Sequence, residues 1–192
     1  MTAPVPGAQT AGAPTHSVVL VHGAFVDGSG WQQVHSRLVA RGFDVLVVQH
    51  PTVTLDGDVS ATMRVIEAAR HPVLLVGHSY GGAVITQAGN HPKVEGLAYI
   101  AAFVPDAGES VAQLNDAPAE KGENKAPVLP PQDGYLIVDP VKFPDAFAAD
   151  VGPRTTRFMA SAQLPWSLDA ATATISQAAW KTKPSFYLVA SA

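Results

Sequence analysis

Four short runs constrain what this chain can fold into. "SVVLVHG" (17–23), "FDVLVVQ" (43–49), "PVLLVG" (72–77) and "GLAYIAAFV" (96–104) are apolar almost throughout. Their length and β-branched content favour strands over helices. Helix-length stretches separate them. In "GSGWQQVHSRLVARG", Trp31, Val34, Leu38 and Val39 recur at helical spacing, and Gly42 is a natural stop. In "DGDVSATMRVIEAAR", Val59, Met63 and Ile66 share a face, and "GGAVITQAGN" reads as a third helix despite its glycines. Strands alternating with helices predict a parallel sheet covered on both faces. Runs that are apolar throughout fit such double burial. The expected fold class is α/β, with a core over residues 17–104.

The remainder divides by composition. Residues 1–16 are rich in Ala, Pro, Gly and Thr and predict a mobile tail without the pattern of a signal peptide. The default expectation is a cytoplasmic protein. Residues 105–184 hold most of the prolines and the polar cluster "NDAPAEKGENK". Two helices are expected there, near Phe143–Asp150 and Arg154–Ala162, in a region lying over the sheet. "PSFYLVASA" then resumes a strand pattern, so residues 185–192 are expected to form the last core strand. A length of 192 residues suits one domain, and 47% hydrophobic against 15% charged residues implies a large core. A net charge of −4 argues against nucleic acid or an anionic membrane as partner. The apolar runs are too short to span a bilayer. The absence of cysteine excludes disulfides and thiolate metal sites.

Gly77-His78-Ser79-Tyr80-Gly81 then stands out, because it follows an expected strand and precedes an expected helix. A serine held on a sharp strand-to-helix turn needs small flanking residues, and Gly77 and Gly81 supply them. The hydroxyl would project above the carboxyl end of the strand, where open α/β sheets bind ligands. The bland alternative is a Gly-Ser turn with an inert hydroxyl, which leaves strand, glycines and helix as coincidence. His22-Gly23-Ala24-Phe25 ends the first strand in the same manner. A glycine there lets a backbone N–H approach a ligand, and acyl transfer needs two such donors facing an oxyanion. The expected donors are the N–H groups of Ala24 and Tyr80. Phe25 is a weaker candidate donor and, with His22, an expected neighbour of the substrate.

"VVLVHGAFVDGSGWQQV", "VLLVGHSYGGAVI" and "LAYIAAFVPDAGES" together resemble the α/β-hydrolase superfamily, and within it the small esterases related to plant methylesterases and hydroxynitrile lyases. The similarity covers residues 17–112 strongly and 184–190 more loosely. It implies a Ser/His/acid mechanism, a small-molecule ester substrate, no metal and no organic cofactor. It also implies that 105–184 cap the pocket, with Trp166 as a pocket aromatic.

A serine is a poor nucleophile without a base, and the resemblance implies the order Ser, acid, His. Of seven histidines only His91 follows Ser79. It lies at the far end of the helix that the serine begins, roughly 18 Å away. His78 should point to the opposite face. His22 is nearest the oxyanion loop, where a structural role is expected, and His50 reads as loop. The resemblance implies an acid after the strand that "SFYLVA" matches, but Ser191-Ala192 follow directly. Asp106 is the candidate substitute, and the base is unassigned. The C-terminal part of the family pattern is therefore expected to be missing.

Three functions remain in play: serine-dependent hydrolysis of small carboxylic esters, impaired by the lack of a histidine; a non-catalytic module binding a small carboxylic acid or ester; and lyase chemistry on cyanohydrins. Loss of the base costs on the order of 10⁶ in kcat and leaves roughly 10³–10⁴ over water. An exposed last strand is also expected to promote self-association through residues 185–190.

Overall fold

A computed structural model describes residues 14–116 and 126–190 of the chain. Residues 1–13 of the expected tail, 117–125 of the polar cluster, and the final Ser191 and Ala192 lie outside the described residues. Strands β1 (Ser17–Val21), β2 (Asp44–Val47), β3 (Val73–Ser79), β4 (Val94–Ala102) and β7 (Ser185–Leu188) form one sheet. Its order is β2-β1-β3-β4-β7, and every neighbouring pair is parallel. β3 therefore lies in the middle. β1 is buried at all five positions, as an apolar run between two layers must be.

Helices α1 (Gln32–Val39), α2 (Leu55–Ala68) and α3 (Gly81–Ala88) link the first four strands. α2 starts where the Thr54 hydroxyl accepts the Gly57 N–H, with Asp56 and Asp58 in the positive first turn. Its buried residues are Leu55, Asp58, Ala61, Thr62 and Ile66. α3 is buried at seven positions, which its small residues permit by letting it lie close to the sheet. The expected core face of α1 is not observed. None of its residues is buried, because it packs on β2, an edge strand that is itself only half-buried.

Between β4 and β7 lie α4 (Val111–Asp116), the antiparallel pair β5 (Tyr135–Leu136) and β6 (Trp166–Ser167), and helices α5 (Phe143–Phe147), α6 (Pro153–Ser161) and α7 (Leu168–Thr172). The segment is stapled internally by Gln163, whose amide oxygen accepts from Val138 N and whose amide nitrogen donates to Val138 O. It reaches loops that follow β1 and β2: Leu164 N donates to Phe25 O, and Ser167 N donates to Thr52 O. It thus meets the sheet at the carboxyl ends of its strands.

Candidate active site

Ser79 ends the central strand with φ of +53°, a left-handed conformation that a side-chain-bearing residue adopts only when its surroundings enforce it. The neighbours supply that enforcement. A Cβ on Gly77 would lie 2.6 Å from Gly81 O, and one on Gly81 would lie 2.5 Å from His22 O. One on Gly82 would overlap Phe103 O. Ser79 O accepts the Phe103 N–H at 3.1 Å, so β4 holds the turn from the other side. The three glycines let strand, turn and helix close together.

The loop after β1 lies directly against this turn. A Cβ on Gly23 would sit 2.9 Å from the Ser79 Cβ. Gly23 is therefore in close contact with the serine, and the Ala24 N–H belongs to the peptide that follows it. Phe25 follows at φ of +67°. Its ring meets Trp166 edge-on at 5.8 Å and Phe147 at 6.4 Å, and Trp166 also packs against Tyr80 at 5.2 Å. Phe25 and Trp166 are thus brought beside the turn.

His22 lies inside the fold. Its ring is buried and stacked on His50 at 3.7 Å, with 7° between the planes. His50 N donates to His22 Nε2 at 3.3 Å, which leaves the His22 proton on Nδ1, facing Gly23 O at 2.9 Å. Burial and the neighbouring His50 pull its pKa down to about 4, so the neutral ring is the form that fits. His50 lies in the loop after β2, as expected, and is likewise buried. Its Nε2 donates to His22 O at 3.0 Å, and its Nδ1 lies 3.3 Å from the buried Asp58 carboxylate. That last approach is within ion-pair distance but out of line for a hydrogen bond.

Asp58 is the site residue that sequence reasoning missed. Its Oδ2 accepts from the Tyr80 hydroxyl at 2.6 Å, and its Oδ1 accepts from Thr52 N at 2.9 Å. Burial, then the Asp58 charge, pushes the Tyr80 hydroxyl pKa well above its ordinary value, so it stays a donor. The stripe Leu55, Asp58, Thr62, Ile66 was available in the sequence as a helical face carrying one carboxylate.

The proton relay is a different matter. Among the described residues no side chain hydrogen-bonds the Ser79 hydroxyl, and the seven histidines are all described. His78 turns to Trp31, edge-on at 6.4 Å, and burial lowers its pKa. His91 Nδ1 accepts from Lys93 N, and His16 faces Glu95. The Asp106 carboxylate binds the Lys181 ammonium at 2.6 Å and the Ala107 N–H, and these hold its pKa below the carboxylate range. Neither partner is a histidine. Among the described residues no group of three His, Asp or Glu side chains could hold a metal, and no helix is long and apolar enough to cross a membrane. A cleft of about 570 Å³ opens nearby between Pro51, Val53, Leu129, Tyr135, Ile137 and Leu164, and it does not touch Ser79.

Comparison with known proteins agrees with this geometry. A carbendazim-hydrolysing esterase from Nocardioides sp. (strain SG-4G) is 37% identical over 110 residues, covering 50% of this chain and 46% of that protein. A probable hydrolase from Phoma sp. (strain ATCC 20986 / MF5453) is 29% identical over 151 residues, covering 70% of this chain and 59% of that one. The chain thus spans about half the length of these relatives. Among solved structures, polyneuridine aldehyde esterase superposes with a TM-score of 0.70 at 19% identity, over 90% of this chain and 80% of that one, a likeness of fold. Residues 18–192 match the alpha/beta hydrolase family from the first strand onward, and the chain belongs to that family.

Proposed function

We propose that the site is built for acyl transfer from small carboxylic esters, with Ser79 as nucleophile. The observation that carries this reading is the left-handed Ser79 at the end of the central strand, with Gly23 of the loop after β1 packed against it. Attack of the Ser79 oxygen on an ester carbonyl breaks the carbonyl π bond and places negative charge on its oxygen. The N–H groups of Ala24 and Tyr80 would receive that oxyanion. Collapse expels the alcohol and leaves an acyl-serine, which water then cleaves to the acid. Phe25 and Trp166 would wall the acyl side. Esterase and hydrolase relatives support the reaction class.

The step that removes the Ser79 proton has no histidine among the described side chains. We therefore propose that this chain alone reacts slowly. The same observation favours a second reading, in which the pocket holds a small acid or ester without turning it over.

The test is exposure to a p-nitrophenyl alkylphosphonate, followed by intact-mass and peptide analysis. Stoichiometric labelling confined to Ser79 and abolished by Ser79→Ala supports acyl transfer. Absence of labelling, together with saturable binding of butyrate, replaces it with the binding reading.

A further inference from the structure

Asp58 is wholly buried in α2, at a position where an apolar residue would complete the stripe formed by Leu55 and Ile66. A buried carboxylate is unfavourable by several kcal/mol unless its oxygens are well satisfied, and a well-packed apolar residue is often no less stable. Core packing alone therefore does not account for it. Its contacts do point somewhere. We propose that Asp58 is a positioning residue for the oxyanion hole, acting on Tyr80 directly and on Ala24 through His50 and His22. This rests on the acyl-transfer reading of Ser79.

On one side, Asp58 Oδ2 accepts the Tyr80 hydroxyl at 2.6 Å. Tyr80 is the residue after the nucleophile and opens α3, so fixing its ring fixes the peptide that carries its N–H. On the other side, Asp58 Oδ1 holds the loop of His50–Thr52 through its hydrogen bond from Thr52 N, and the His50 ring on that loop donates through Nε2 to His22 O and stacks on the His22 ring. His22 in turn donates from Nδ1 to Gly23 O. Gly23 C=O and Ala24 N–H belong to one planar trans peptide, so they point in opposite directions. Drawing the Gly23 carbonyl toward His22 turns the Ala24 N–H away from it. One carboxylate thereby governs the orientation of both expected donors. Thr52 also donates its hydroxyl to Pro165 O, next to Trp166. The wall of the site hangs from the same point.

The test compares the wild-type chain with Tyr80→Phe and Asp58→Asn in saturation kinetics of phosphonylation. These separate reversible binding (Ki) from bond formation at Ser79 (k2). Positioning predicts k2 reduced about tenfold or more with Ki within about twofold, whereas general loosening raises Ki and leaves k2. Unchanged k2 in both variants overturns the proposal. Where Asp58→Asn does not fold, Tyr80→Phe, which removes one hydroxyl, decides. If the wild type is not labelled, the acyl-transfer reading fails by itself. Amide hydrogen exchange then decides the positioning. Faster exchange at Tyr80–Val84 in Tyr80→Phe, or also at Gly23–Phe25 in Asp58→Asn, sustains the proposed network. Unchanged exchange in every folded variant overturns it.

Discussion

The amide of Leu164 donates a 3.2 Å hydrogen bond to the carbonyl of Phe25, joining the segment above the sheet to the loop beside Ser79. Phe25 makes this contact from a left-handed backbone, with its ring wedged between Phe147 and Trp166. Truncating a buried phenylalanine typically destabilises by about 3–5 kcal/mol. Phe25→Ala is expected to fall at the low end of that range, since its half-buried neighbours Phe147 and Trp166 can relax into the space. Equilibrium denaturation followed by tryptophan fluorescence measures it. A loss below about 1 kcal/mol would show that the wedge contributes little.

Gly82 permits the first turn of α3 to touch β4, where a Cβ would overlap the Phe103 carbonyl. Backbone cannot swing aside as a side-chain tip can. Gly82→Ala is therefore expected to destabilise by about 3 kcal/mol or more, beyond the usual range for overpacking. A soluble Gly82→Ala protein with a wild-type melting temperature would contradict the close approach.

His22 makes stability depend on pH. Its pKa falls from an ordinary 6.5 to about 4 on folding. Above pH 6.5 the ring is neutral in both states and contributes no pH dependence. Between 6.5 and 4 the unfolded chain binds a proton that the folded chain does not, so stability falls as pH falls. The loss levels off below about 4, after reaching on the order of 3 kcal/mol. Burial lowers the His78 pKa too, and it acts in the same direction. Urea midpoints measured across pH 4–7 should decline accordingly, and His22→Asn should flatten the curve.

How much of this was legible beforehand follows from periodicity. The parallel core could be read because Val18–Val21 and Val73–Val76 are apolar without interruption, and the turn at Ser79 because left-handed backbone demands glycine neighbours. Asp58 escaped notice because "DGD" looks like a solvated helix start. The i, i+3, i+4 spacing of Leu55, Asp58, Thr62 and Ile66 was the better guide. His50 escaped because its partner, the ring of His22, lies 28 positions away. α1 misled in the opposite sense. Its apolar residues are real, but Val34 and Val39 stay 39% and 47% exposed because an edge strand offers little to cover them.

β7 supplies the last expectation. It pairs with β4 alone, and Phe186, Leu188 and Val189 are 71%, 61% and 70% exposed. Tyr187 is tied inward: its hydroxyl donates to Ala102 O at 2.8 Å and its ring stacks on Tyr99. That anchorage holds the strand flat against the sheet, with its outer N–H and C=O groups unpaired by any other strand of the described sheet. An apolar edge held in this way is a template for another strand. We expect this chain to self-associate, with an apparent mass in light scattering that rises with concentration. The double substitution Phe186→Lys and Leu188→Lys places two charges on the edge without touching Tyr187, and should return the protein to a monomer. A monomeric wild type at high micromolar concentration would show that this edge does not template pairing.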